Sequence, residues 1–185
     1  MKLIKTGLIV LFSVVVTACS GMSSYFNAID TSDKKLEGEG ITLSQTIQTK
    51  DLYGAWANAS DDNNPVDSTV IFALYTDHTG LVYFSDVNRK TKVETMGIEQ
   101  FTWQFDESKK ELDSVIFQQI NRVGDQKTIK TVSKKEKHKI DLYRLDNEKL
   151  AIKLSNKEQT IELFRMPNNI YNKLTQDRPD LPRLK

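Results

Sequence analysis

The sequence has a single cysteine, Cys19, so the chain cannot form an internal disulfide. Its 26 Lys and Arg residues nearly balance its 25 Asp and Glu residues, which removes the strong positive field typical of nucleic-acid-binding proteins. With only 8 glycines and 4 prolines in 185 residues, a fibrous or low-complexity chain is excluded. The composition indicates one packed globular domain with short appendages and no nucleic-acid partner.

The common motifs of enzyme active sites are also missing. The sequence contains no Gly-x-Ser-x-Gly, no phosphate-binding loop and no His-Glu-x-x-His. Its two histidines, His78 and His138, are far apart along the chain, and we expect both in solvated turns. We therefore predict a protein that is not an enzyme, with no catalytic residues, no metal site and no cofactor.

The first 18 residues have the features of a secretory signal peptide. Lys2 and Lys5 precede an apolar run from Leu8 to Val16. This run is shorter than the roughly 20 apolar residues that a membrane-spanning helix needs, so a retained transmembrane helix is the weaker interpretation.

The end of this segment, Val16-Thr17-Ala18-Cys19, resembles the lipobox of bacterial lipoproteins. The resemblance implies that Cys19 becomes the first residue of the mature protein and carries acyl chains such as palmitate. Two or more chains anchor a protein stably in a membrane. Because Ser20 rather than Asp follows the cysteine, the resemblance also implies, in an enteric-type Gram-negative host, an outer-membrane anchor with the protein facing the periplasm. The alternative is an ordinary signal peptide that happens to end near a cysteine.

Residues 19–50 are polar, and we interpret them as a lipidated, flexible tether in which Ile41, Leu43 and Ile47 could dock as a short turn. Beyond this segment, apolar residues alternate with polar ones, as in Phe101-Thr102-Trp103-Gln104-Phe105, and this spacing predicts strands. Nine short strands are expected, over residues 53–58, 69–75, 81–85, 101–105, 114–121, 127–132, 139–145, 149–154 and 159–165.

Short strands with short turns and no helix between them predict an all-β fold, and we expect a small antiparallel up-and-down barrel over residues 51–167. Closure into a barrel removes the exposed edges of such a sheet. Residues 168–185 form a C-terminal tail with one helical turn before Pro179 and Pro182.

The triplet Gly54-Ala55-Trp56 resembles the Gly-x-Trp of the lipocalins and the wider calycin group. Phe72, the turn residues Thr79-Gly80 and Arg165 in the last strand extend the similarity to lipocalin-like domains of small bacterial lipoproteins, over roughly residues 51–166. This resemblance implies that Trp56 packs beside Arg165 at the closed end of the barrel as a structural pair. A second family of lipoprotein barrels, the membrane-bound lysozyme inhibitors, fits less well because its members usually carry a disulfide.

Two functional hypotheses remain open. In the first, the anchored barrel binds a small apolar ligand or an envelope partner, and Phe101, Trp103 and Phe105 line its cavity. In the second, the barrel is filled, these aromatic residues are core, and the protein serves envelope interaction or assembly without a ligand. The basic run Lys134–Lys139 is expected in a solvated hairpin turn, with contact to lipopolysaccharide phosphate, peptidoglycan or an acidic partner as the alternative.

Overall fold

The computed structural model describes residues 36, 40–59, 66–145, 149–177 and 181–182. The predicted signal peptide and Cys19 lie outside these residues. The described chain contains nine strands and two helices: β1 Ile41–Leu43, α1 Thr49–Leu52, β2 Gly54–Ala59, β3 Val66–Leu74, β4 Thr79–Asn88, β5 Glu94–Asp106, β6 Glu111–Val123, β7 Gln126–Leu145, β8 Leu150–Ser155, β9 Thr160–Met166 and α2 Asn168–Asp177.

The strands close into an antiparallel barrel of eight strands. From β2 to β9 each strand pairs with the next one in the chain, and β9 pairs back onto β2. The last contact joins Trp56 to Arg165 as Cα partners. The predicted all-β, up-and-down barrel is therefore confirmed.

The interior of the barrel is filled by apolar side chains where its strands pair on both sides. Because side chains alternate along a strand, one set points inward and the other outward. The inward-pointing side chains form the main core. Its large members include the fully buried rings of Trp56, Phe72 and Phe101. A second apolar cluster lies on the outer wall, where Tyr171 of α2 and Leu181 bury residues such as Ile71.

β7 differs most from the prediction. We expected two strands, 127–132 and 139–145, joined by a hairpin turn at Lys134–Lys139, but the structure has one strand of 20 residues through this region. The basic run pairs with β6 in continuous register, from Glu111 opposite Lys139 to Ile116 opposite Lys134. The neighbouring strand supplies the hydrogen bonds that hold this polar segment extended, so the predicted turn is wrong.

Segments before and after the predicted barrel also belong to the folded body. β1 pairs with the C-terminal part of β7, with Ile41 opposite Leu145, so the folded body begins earlier than residue 51. α2 has ten residues rather than the single turn predicted, and its Tyr171 is fully buried against the barrel. None of the helices in the described part of the chain is long and apolar enough to cross a membrane.

Candidate functional site

An open pocket of about 640 Å³ lies at one end of the barrel. Its volume falls within the roughly 300–1,000 Å³ of small-molecule sites. Four parts of the chain build it: α1 with its connection into β2, the β3–β4 turn, the end of β9 with the first residue of α2, and Pro182. We call it the Arg165 pocket, and its lining residues are Lys50, Tyr53, Gly54, Leu74, Tyr75, Thr76, Asp77, Thr79, Arg165, Asn168 and Pro182.

Arg165 lies between this pocket and the core of the barrel. Its guanidinium carbon is 4.6 Å from the centroid of the Trp56 ring, a cation–π contact of about 0.5–2 kcal/mol. Trp56 is fully buried, and its Nε1 donates a hydrogen bond to the carbonyl of Leu52 at 2.9 Å. The structure thus brings together the two residues that the sequence suggested as a pair.

Gly54 makes room for this arrangement. A Cβ atom at residue 54 would lie 2.8 Å from Nη2 of Arg165, closer than such contacts normally allow. The backbone there also has a φ of +115°, which residues with side chains rarely adopt. The backbone conformation therefore requires the glycine of the Gly-x-Trp triplet, which also leaves room for the guanidinium.

The charge of Arg165 is only weakly compensated. Its Nη1 donates to the carbonyl of Asp51 at 3.3 Å, and no carboxylate of the described residues lies within ion-pair distance. Burial lowers the pKa of Arg165 from its ordinary value, while the more distant charge of Asp51 raises it. Since Lys50 also lines the pocket, an anionic group of a ligand would meet two cations there, opposed by Asp77 alone among the lining side chains.

Two tyrosines connect the pocket to the C-terminal helix. The hydroxyls of Tyr75 and Tyr171 lie 2.7 Å apart, and Tyr171 also donates to the carbonyl of Pro182 at 3.0 Å. Burial raises the pKa of Tyr75 and of Tyr171, so both hydroxyls remain protonated. Tyr75 thus forms a neutral, fixed wall of the Arg165 pocket.

The three aromatic residues suggested as cavity lining belong to packed surroundings. Phe101 is fully buried and stacks on Phe72, with ring centroids 5.7 Å apart. Trp103 meets Tyr53 edge-on at 5.8 Å and donates from Nε1 to the carbonyl of Thr79 at 2.8 Å. Phe105 is partly buried against the same core. None of the three lines the Arg165 pocket, although Trp103 borders a separate surface hollow of about 420 Å³ beside the β3–β4 turn.

A group of buried polar side chains escaped sequence reasoning. Ser114, Glu136 and His138 lie on β6 and β7, and each has a buried polar atom without a hydrogen-bond partner in the described structure, namely Oγ, Oε2 and Nδ1. His138 is only 3% exposed, so its predicted place in a solvated turn is wrong. Its other ring nitrogen, Nε2, lies 3.3 Å from Nδ2 of Asn156 and 3.9 Å from Oε2 of Glu136.

The environment of His138 favours its neutral form. Burial lowers the pKa of the imidazole, and the charge of Lys134 lowers it further, while the nearby carboxylate of Glu136 raises it. Lys134 and Glu136 form an ion pair of 2.7 Å that partly offsets both charges. No sequence signal marked this cluster, because Glu136 and His138 sit in a run that looked uniformly solvated. Nor do the described residues contain any group of three or more His, Cys, Asp or Glu able to hold a metal ion.

Comparisons with known proteins offer no relative from which to interpret these features. No protein-family model, no curated protein and no solved structure matches the chain. The barrel and its pocket are therefore interpreted from their own geometry.

Proposed function

We propose that this protein is a lipid-anchored binding protein of the bacterial envelope, which takes a small amphipathic anion into the Arg165 pocket and performs no catalysis. The observation that carries the proposal is a half-buried guanidinium at a pocket of about 640 Å³, without a carboxylate partner among the described residues. A carboxylate or phosphate group is the chemistry that a planar guanidinium pairs with best.

The rest of the pocket suits the apolar part of such a ligand. Tyr53, Tyr75 and Leu74 provide aromatic and aliphatic surface next to the two cations. One of the two hypotheses from the sequence has an apolar ligand inside the barrel, but the buried aromatic residues there pack against each other. The proposed site therefore lies at the end of the barrel, and its ligand carries a charged group besides an apolar part.

The anchor in this proposal is Cys19, which lies outside the described residues. The lipobox-like sequence before it and Ser20 after it support attachment to the outer membrane, with the lipocalin-like barrel facing the periplasm. Replacing Cys19 by Ala should abolish metabolic labelling with a palmitate analogue and leave an uncleaved or soluble protein. Labelling that persists in this variant would contradict the anchor.

A matched set of probes tests the ligand class. Octanoate, octyl phosphate and uncharged octanol share one alkyl chain, so titration calorimetry separates the effect of the charge from that of the apolar part. We expect both anions to bind more tightly than octanol to a soluble form that begins at Ser20 and retains every described residue.

Substitutions of two lysines test where the anions bind. Lys50→Gln should weaken binding of the anions but not of octanol, because Lys50 lines the pocket and its side chain is exposed. Lys90→Gln, an exposed lysine in the β4–β5 turn, is the matched control and should leave binding unchanged. Equal binding of octanol and octanoate would favour the purely apolar ligand expected from the sequence.

The second candidate is an envelope interaction protein whose barrel holds no ligand. The specific observation that favours it is the packed interior, in which Trp56, Phe72, Phe101 and Ile152 are all fully buried. Under this alternative none of the three probes binds, and native mass spectrometry after gentle purification shows only the mass of the protein.

A further inference from the structure

β7 has a second strand beside it along only part of its length. On one edge it pairs with β6 from Gln126 to Lys139. On the other edge it pairs with β8, but this pairing stops where Lys139 meets Ser155, at the end of β8. No strand in the described part of the chain pairs with this second edge over residues 126–138, which we call the open edge.

Two backbone hydrogen bonds of β7 show which backbone groups face the open edge. The amide of Ile140 donates to Lys110 on the β6 side, and the amide of Leu145 donates to Lys149 on the β8 side, each at 2.9 Å. Backbone groups of consecutive residues in an antiparallel strand point to opposite edges. The N–H and C=O groups of Lys135 and Lys137 therefore face the open edge, whereas those of Glu136 face β6.

The open edge is strongly basic. Residues 126–138 contain five lysines and one glutamate, and Lys139 follows directly. Glu136 is paired with Lys134, and Lys137 is paired with Glu111 at 3.0 Å. The described residues provide no such partner for Lys130, Lys135 or Lys139, whose side chains are exposed.

A groove lies at the point where β8 ends. Its volume is about 570 Å³, and its lining joins the basic part of β7 to the β8–β9 turn. Five lysines, among them the exposed Lys135 and Lys139, and three glutamates line it, and two of these glutamates are paired with lysines. The groove thus places exposed ammonium groups beside backbone groups that lack a neighbouring strand among the described residues.

These features fit an extended acidic segment better than a second copy of this chain. An added strand would pair its backbone with Lys135 and Lys137, and its acidic side chains would meet the lysines. Two open edges pairing with each other would instead place lysines opposite lysines, an arrangement that destabilises cross-strand pairs and protects natural sheets from self-association.

We propose that the open edge of β7 binds an extended, acidic peptide segment of a partner protein by strand addition. This site is separate from the Arg165 pocket, and it does not depend on a small ligand being bound there.

The test uses the full chain, labelled with ¹⁵N, in micelles of a non-ionic detergent. The probe is an eight-residue peptide of alternating glutamate and threonine with blocked ends, and its control has glutamine in place of every glutamate. We expect the acidic peptide to slow hydrogen exchange at the amides of Lys135 and Lys137, and the glutamine peptide to bind more weakly by about tenfold or more.

Two variants at one position separate strand addition from simple charge attraction. Lys135→Gln removes the charge but keeps the amide, whereas Lys135→Pro removes both, at an edge position where proline is tolerated. We expect Lys135→Pro to weaken binding clearly more than Lys135→Gln does. Unchanged signals from residues 139–145 would show that each variant is folded.

Three results would overturn the proposal. Equal affinities of the two variants would mean that only charge attracts the peptide. Amides of Lys135 and Lys137 that are protected before peptide is added, in a monomer, would mean that another segment of this chain occupies the edge. The same protection in a dimer would mean that a second copy occupies it.

Discussion

The two halves of β7 belong to one strand but have opposite surroundings. Residues 139–144 pair with β8 on one edge. On the other edge, the amide of Ile140 donates to Lys110 just before β6, and residues 143–145 pair with β1. The inward side chains of this part, Ile140 and Leu142, are buried. Residues 126–137 have β6 alone, and most of their side chains are exposed. Strand conformation is thus maintained by one neighbour, whereas an apolar inner face requires enclosure from both sides.

The largest difference in stability is expected between alanine variants at one apolar residue from each half. Leu142→Ala should lower the free energy of unfolding by about 2–5 kcal/mol, since it empties a buried position. Ile129→Ala, at a side chain 57% exposed, should change it by less than about 0.5 kcal/mol. Urea denaturation of both variants measures the difference, and similar losses would mean that the two halves are equally enclosed.

Two neighbouring residues give a sharper contrast within the basic run. Glu136→Pro removes an amide that faces β6 and should lower the free energy of unfolding by about 1–3 kcal/mol. Lys135→Pro removes an amide that faces the open edge and should have a clearly smaller effect. Thermal unfolding of the pair checks the orientation of these amides, and the reverse order of stability would refute it.

His138 lies where the two halves meet and should make the stability depend on pH. Burial lowers its pKa in the folded state below the ordinary 6.5, so the unfolded chain binds a proton first as the pH falls. The contribution of neutral His138 to the free energy of unfolding is therefore fully present above pH 6.5. Below that pH the free energy of unfolding decreases, by at most about 1.4 kcal/mol per pH unit for one proton.

The control for this prediction is His138→Gln, which cannot titrate. Denaturation between pH 7.5 and 5 should show a shallower decline for this variant than for the unmodified protein. Parallel curves would assign the acid sensitivity to other groups.

The smallest effect is expected from an unpaired lysine of the open edge. Lys130→Gln should change the free energy of unfolding by less than about 0.5 kcal/mol, because its exposed side chain has no ion-pair partner among the described residues. Denaturant titration at low and high salt checks this, and a clear loss at low salt would reveal a stabilising contact.

The sequence predicted those strands whose side chains alternate between core and solvent. Phe101, Trp103 and Phe105 marked β5 because every second residue faces the core. The basic run Lys134–Lys139 lacks this alternation, and only its pairing with β6 reveals it as strand. Periodicity reports burial, so it did not reveal that the strand continues through this exposed run.

The candidate site, too, could be predicted only in part from the sequence. Trp56 and Arg165 could be suggested as a pair from a resemblance that spans the two ends of the domain. The pocket beside them could not, because Lys50, Tyr75 and Pro182 come together only when the barrel closes and α2 folds back onto it. His138 was misjudged because its charged sequence neighbours concealed an inward-facing position.

Amide hydrogen exchange along β7, in the protein without added ligand, measures directly whether this wall of the barrel is open. We expect slow exchange at Ile140, Asp141 and Tyr143, which have a neighbouring strand or turn on the edge they face. In the basic run we expect alternation, with Glu136 slow and Lys135 and Lys137 fast. Uniformly slow exchange from Lys134 to Tyr143 would contradict a barrel wall that is open along this edge.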